Sequence, residues 1–94
     1  MSLVPMTMRL VVPVDNRFGG LASAVTVKVA ERLGYGAAEA GALGAEIETR
    51  AASLAAGRGR ETLELEVEFE AADRRLRIRA RCGGRAFELE RPLP

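Results

Sequence analysis

Histidine is absent from this sequence, and cysteine and lysine each occur once. Without histidine, Ser-His and Cys-His catalytic pairs and histidine-ligated metal sites are excluded. The single cysteine, Cys82, cannot form an internal disulfide or a zinc site, and it favours a cytoplasmic location. The net charge of the 94 residues is only +1, so no global electrostatic field favours nucleic acid or an acidic substrate.

Long apolar runs are also missing. A membrane-spanning helix needs about 20 consecutive apolar residues, whereas the longest weakly polar run, residues 34–48, is rich in alanine and glycine and contains glutamates. The N-terminus lacks a basic region followed by an apolar core, so we expect neither a secretory signal nor a membrane partner. We interpret residues 1–7 as a leader or disordered segment and residues 8–94 as one domain.

The first half of the sequence predicts one strand and two helices. A β-branched apolar run at residues 8–14 contains a proline and precedes an Asp-Asn pair, as in a strand followed by a turn. Apolar residues recur every four positions over residues 21–33, which predicts an amphipathic helix. A second helix is expected over residues 37–56, where Gly41 and Gly44 allow a neighbouring element to approach closely.

Strict alternation marks the last third of the chain. Residues 63–70 alternate apolar residues with glutamate, and residues 75–82 alternate apolar residues with arginine. A four-residue loop between them predicts a hairpin that pairs Glu70 with Arg75. This register matches the charged and the apolar faces at the same time, which supports the hairpin more strongly than either strand alone.

The cysteine lies at the corner of a second predicted hairpin, in the segment RCGGRAF at residues 81–87. A two-residue glycine turn places Phe87 opposite Ala80, since glycine supplies the positive φ that a tight turn requires. Cys82 continues the inward-facing row of its strand. This position favours a small buried side chain over a reactive thiol.

The expected element order is β-α-α-β-β-β. It predicts an α+β two-layer sandwich in which two helices pack on one face of a mainly antiparallel sheet. The other face carries a column of arginines between two columns of glutamates, which we interpret as a solvated ion-pair network. A nucleic-acid groove would leave the arginines unpaired and add stacking aromatics, so no nucleic-acid partner is expected.

Residues 13–55 resemble the beginning of the histidine-kinase-like ATPase domain, in the version found in bacterial anti-sigma-factor serine kinases. The likeness lies in a strand, a D-x-R-F turn at residues 15–18, a helix that ends in AERLGYG, and a second helix that carries a nucleotide-binding motif. The resemblance covers nearly all of this chain and about the first two thirds of the family's domain.

Two nucleotide motifs of that family are present in altered form. The first reads E-x-x-x-N, in which the asparagine holds magnesium and the glutamate acts near the attacking water. Glu46 matches the glutamate, and Arg50 replaces the asparagine. The second reads D-x-G-x-x-F, whose aspartate receives the adenine amino group. Gly84 and Phe87 match it, and Cys82 replaces the aspartate. The resemblance therefore implies that Glu46, Arg50, Cys82 and Gly84 border a vestigial nucleotide pocket.

The replacements indicate that nucleotide binding has been lost. A guanidinium at Arg50 repels magnesium, although it can pair with Glu46 one helical turn earlier. A thiol at Cys82 is a poor acceptor for the adenine amino group. The resemblance thus implies a non-catalytic regulatory or protein-interaction module without a cofactor, which binds a protein partner and gains burial by forming a homodimer.

The sequence leaves open two alternatives for the function and one question about the structure. One is an ATP-binding serine kinase or ATPase, with Mg and ATP as ligands, whose motifs have diverged but still function. Another is an unrelated α+β module whose likeness to the family is convergent. Residues 85–91, finally, are expected either as the second strand of a hairpin or as a loop, as in the family.

Overall fold

The computed structural model describes residues 5–14, 20–56 and 64–94. Within these ranges the elements follow the predicted β-α-α-β-β-β order, which confirms the α+β fold. They are β1 (Met6–Pro13), α1 (Leu21–Arg32), α2 (Ala37–Ala55), β2 (Glu64–Ala72), β3 (Arg75–Cys82) and β4 (Arg85–Pro92). The first strand begins two residues before the predicted position. The D-x-R-F turn at 15–18 and the first residue of the predicted strand 63–70 lie outside the described residues.

The four strands form one sheet in the order β1-β2-β3-β4, and each neighbouring pair is antiparallel. In sequence, both helices belong to the connection between β1 and β2, which are neighbours in the sheet. Strands β1 and β4 are the edges of the sheet. Helix α1 lies beside β1 and α2, whereas α2 lies over β3 and β4. No helix in the described ranges has the length and apolar character needed to cross a membrane.

The predicted register of the first hairpin is wrong by two residues. Glu70 pairs with Arg77 rather than Arg75, because β2 continues through Ala72. The connection is consequently a two-residue turn at Asp73 and Arg74, with φ values of 53° and 64°. Side chains alternate along a strand with a period of two, so a shift of two residues leaves each of them on its predicted face.

The second hairpin agrees with its prediction. Ala80 pairs with Phe87, and the turn consists of Gly83 and Gly84, with φ values of 56° and 84°. Of the two alternatives for residues 85–91, the structure therefore shows a strand. Edge strand β4 then extends as far as Pro92.

The core lies between the helices and the apolar face of the sheet. Its largest fully buried side chains include Phe69, Ile47, Leu76, Ile78 and Val67. Thr26 is also buried, and its hydroxyl donates a hydrogen bond to the Ala22 carbonyl within α1 at 2.7 Å. This bond satisfies the buried hydroxyl without a partner from another element.

Candidate functional site

Glu46 is held between two arginines, one from its own helix and one from the sheet. The guanidinium of Arg91 on β4 donates a hydrogen bond to Glu46 Oε1 at 2.7 Å. On the other side, Arg50 Nε lies 3.3 Å from Glu46 Oε2. The spacing of Glu46 and Arg50 predicted their pairing, because residues four apart on a helix are neighbours. The negative charge of Glu46 is thus compensated from two directions.

The position of Glu46 follows from the packing of α2. The helix buries Leu43, Ile47 and Leu54 against the core, and Glu46 lies at the border of this buried stripe. Its side chain is 31% exposed, against 42% for Arg91. This ion pair therefore lies at the edge of the helix–sheet interface, where water screens it only in part.

Arg50 also contacts the sheet through an aromatic ring. Its guanidinium carbon lies 5.7 Å from the centre of the Phe87 ring on β4, within the range of a cation–π interaction. Arg50 therefore joins Glu46 to Phe87, the matched aromatic residue of the second motif. A contiguous chain of contacts, Arg91–Glu46–Arg50–Phe87, connects α2 to β4.

A small cavity adjoins this chain of contacts. It has a volume of about 210 Å³ and is lined by Tyr35, Glu39, Ala42, Leu43, Glu46 and Arg91. Ligand pockets in proteins usually measure about 300–1,000 Å³, so this cavity is small for a nucleotide. The Tyr35 hydroxyl donates a hydrogen bond to the Pro92 carbonyl. Burial raises the pKa of Tyr35, Glu39 raises it further, and Arg91 opposes both effects.

Cys82 and Gly84 lie at the β3–β4 corner of the sheet. Cys82 ends β3 and is only 1% exposed, so its thiol belongs to the core, as predicted. Gly84 lies in the exposed turn. Both residues line a concavity of about 640 Å³ on the charged side of the sheet, together with Arg9, Glu66 and Arg81 among others.

Of the four predicted site residues, Glu46 and Arg50 are in contact, and Cys82 and Gly84 line the same concavity. In the backbone register of β3 and β4, Arg91, which contacts Glu46, lies opposite Leu76, and Arg85 lies opposite Cys82. Arg91 and Arg85 are six residues apart on β4, about 20 Å in an extended strand, whereas Phe87, which Arg50 contacts, is two residues from Arg85. Among the contacts described above, the one between Arg50 and Phe87 joins Arg50 to the second motif.

The charged face of the sheet forms the predicted ion-pair network, with partners set by the observed register. Arg77 lies within 3.8 Å of carboxylate oxygens of Glu70, Glu88 and Glu90. Arg79 similarly contacts Glu68 on one side and Glu88 on the other. Each of these arginines is shared between β2 and β4, so the network links three strands.

Glu66 extends this network to β1, because it binds one arginine from β3 and one from β1. Glu66 accepts a hydrogen bond from Arg81 and pairs with Arg9 on β1 at 2.8 Å. The Arg81 hydrogen bond, followed by that of Arg9, lowers the pKa of Glu66, and desolvation opposes them. The same hydrogen bond to Glu66 is the main reason that the pKa of Arg81 is raised.

No group of three or more cysteine, aspartate and glutamate side chains in the described ranges lies close enough to hold a metal ion. In comparisons with known proteins, no family model matches the chain and no curated protein is significantly similar to it.

Sequence reasoning missed Arg91 and Tyr35, which line the cavity beside Glu46. A signal for Arg91 was present: it follows Phe87 and Leu89 in the row of β4 that faces the helices, so a charge there breaks the alternation. A charged residue at an inward position requires a partner. Its partner, Glu46, is 45 residues away in sequence, so no local pattern identifies it.

Proposed function

We propose that this chain is a non-catalytic regulatory module that binds a protein, and that the nucleotide site implied by the resemblance has been lost. The observation that carries the proposal is the double engagement of Glu46 by Arg50 and Arg91. In the family's motif, the corresponding glutamate acts beside a magnesium ion and an attacking water.

Magnesium binding at Glu46 would have to displace these two arginines. Mg²⁺ requires near-octahedral coordination by oxygen ligands, and both carboxylate oxygens of Glu46 already face a guanidinium. A guanidinium has no lone pair to offer and repels a divalent cation. The arrangement stabilises the contact between α2 and β4 instead of a metal–phosphate complex.

The adenine side of the expected pocket is equally unfavourable. Cys82 is buried in the core, where its weakly accepting sulfur cannot take the place of a carboxylate that receives an amino group. Descent from an anti-sigma-factor kinase, a cytoplasmic location and self-association are parts of the proposal that rest on the sequence.

Exposed apolar side chains support a role in protein binding. Val11, Val14 and Leu21 are 46%, 41% and 38% exposed. Val11 lies on edge strand β1, Val14 follows this strand, and Leu21 begins α1. Apolar surface that the fold leaves uncovered gains free energy when a partner buries it.

Calorimetric titration of the chain with Mg-ATP and with ADP tests the loss of the nucleotide site. We expect no saturable heat from either ligand. Saturable binding in the micromolar range would overturn the proposal and support the alternative of an ATP-binding kinase or ATPase with diverged motifs.

A second experiment tests the descent from a nucleotide-binding domain. The double variant Arg50→Asn, Cys82→Asp restores both motifs, and Arg50→Gln, Cys82→Ser serves as a matched control. Partial recovery of ADP binding in the first variant alone is expected if both positions border a former pocket. Because a buried aspartate is destabilising, circular dichroism must show that the variant is folded. A folded variant without ADP binding supports the alternative of an unrelated α+β module.

A further inference from the structure

A groove runs between edge strand β1 and helix α1. Met6 and Met8 form its floor, and Val25 and Val29 form the wall on the helix side. With Ala24, Lys28 and Arg32 as further lining residues, its volume is about 390 Å³. Methionine side chains are flexible and polarisable, so such a floor can adapt to the shape of a partner.

Helix α1 presents two distinct faces. Ala22, Thr26 and Ala30 are buried and face the rest of the domain. Leu21, Val25 and Lys28 lie on a second face, at the three- and four-residue spacings of one helical stripe. Leu21 is one of the large apolar side chains that remain exposed. The apolar surface of α1 is therefore larger than the area that the fold itself covers.

The rim of the groove is positively charged. Lys28 and Arg32 are one helical turn apart, and none of the residues that line the groove is acidic. The nearest carboxylate described for Lys28, that of Glu31, is 3.8 Å away, while the Lys28 side chain is 85% exposed. Both cations are thus accessible to acidic groups of another molecule.

We propose that this groove binds an amphipathic helix of a partner protein. The apolar stripe of the partner helix packs on Met6, Met8 and Val25. Acidic residues one turn apart on the flank of that helix form ion pairs with Lys28 and Arg32. This inference builds on the proposed protein-binding function by naming the surface and the chemistry of the partner.

The geometry favours a helix over an added strand. A strand that extends the sheet beyond β1 lies in the plane of the sheet, and its side chains point above and below that plane. Lys28 and Arg32 stand in the helix layer, beside the space above β1. A helix that lies on β1 next to α1 meets the floor, the wall and both cations together, as in groove recognition of amphipathic helices.

Charge argues against a second copy of this chain as the occupant. In a symmetric dimer, the same patch meets itself. Because the lining contains two cations and no carboxylate, a second copy of the patch supplies no partner for Lys28 or Arg32. A helix with an acidic flank supplies both.

A synthetic peptide pair tests the inference. One stapled helical peptide carries a leucine stripe flanked by glutamates, and the other is identical except that lysines replace the glutamates. We expect the acidic peptide to bind at least about tenfold more tightly, since two ion pairs at a surface reach this factor together. In methyl NMR spectra, the Met6 and Met8 signals should shift, and higher salt should weaken binding.

Charge-reversed variants locate the site. Lys28→Glu with Arg32→Glu should reverse the preference so that the lysine peptide binds better, and Lys28→Gln with Arg32→Gln should abolish the preference while keeping the fold. The matched control, Arg74→Glu with Arg85→Glu, makes the same change of charge in the first hairpin turn and at the start of β4, and it should leave both affinities unchanged.

Three results would overturn the inference: equal binding of the two peptides, binding that leaves the Met6 and Met8 signals unshifted, or a preference that survives in the Gln variants. Sedimentation of a dimer that Val25→Glu dissociates would assign the groove to a second copy and equally overturn it. Nucleotide titration is independent of all these outcomes. A negative result for the peptides at the groove is therefore distinguishable from saturable nucleotide binding, which would contradict the proposed function.

Discussion

Gly44 of α2 lies directly against Val27 of α1. A Cβ atom on Gly44 would come within 2.6 Å of Val27 Cγ2 and within 3.1 Å of the Ser23 carbonyl oxygen. The side chain of Val27 can move, but the backbone of Ser23 cannot move without shifting α1. The close approach of the two helices therefore depends on the missing side chain at position 44, as predicted for Gly44. The same prediction is wrong for Gly41, where nothing lies within 4 Å of an added Cβ.

Gly44→Ala should accordingly destabilise the protein. We expect the overpacking, about 1–3 kcal/mol, to exceed the gain in helix propensity, about 1 kcal/mol. Gly41→Ala is the matched control, because nothing lies within 4 Å of its added Cβ, and it should stabilise the same helix. Urea denaturation of both variants measures the difference in free energy of unfolding. Equal stabilisation by the two alanines would contradict the observed helix packing.

The ion pair between Glu46 and Arg91 should contribute a modest coupling energy. A double-mutant cycle with Glu46→Gln and Arg91→Gln is expected to give about 0.5–1 kcal/mol, since both side chains are partly exposed. Glu48→Gln, on the exposed side of the same helix, should change the unfolding free energy little. A coupling energy of zero would mean that the Glu46–Arg91 ion pair does not help to hold α2 against β4.

Glu66 should make stability depend on acid pH. Arg81 and Arg9 lower its pKa from the usual 4.5 in the folded protein, so the unfolded chain binds a proton more readily. The contribution of Glu66 is therefore complete at neutral pH. It is lost as the pH falls from about 4.5 through the lower pKa of the folded state.

Carboxyl NMR titration checks this prediction residue by residue. Arg81→Gln should raise the pKa of Glu66 further towards 4.5 than Arg9→Gln does, because the Arg81 hydrogen bond is the larger cause. In Glu66→Gln, unfolding free energy should fall less steeply between neutral and acid pH than in the unaltered chain. The same slope in both proteins would exclude Glu66 as a source of this dependence.

Arg74→Gly should stabilise the first hairpin. Arg74 has a φ of 64°, and a left-handed conformation costs a non-glycine residue about 1 kcal/mol or more. The variant produces an Asp-Gly turn, which is favoured between two antiparallel strands. Gly84→Ala, in the second turn at φ 84°, should have the opposite sign. Thermal unfolding of both variants tests the pair, and a lower melting temperature for Arg74→Gly would contradict the turn geometry.

The faces of the sheet and the second hairpin were predictable because their signals are local. Alternation along residues 75–82 and 85–91 assigns each side chain to one face whatever the neighbouring strand is. The first hairpin shows the limit of this argument. Its sequence signal does not distinguish registers that differ by two residues, and the turn at Asp73 and Arg74 contains no glycine to mark it.

The sequence by itself determined the order of elements, the division of the sheet into apolar and charged faces, the burial of Cys82 and the pairing of Glu46 with Arg50. Only the tertiary structure decided that Glu46 also binds Arg91, that Arg50 packs on Phe87, and that a cationic apolar groove lies beside β1. The physical reason is distance along the chain. Periodicity governs neighbours within one element, whereas these contacts depend on how α1 and α2 are placed on strands far from them in sequence.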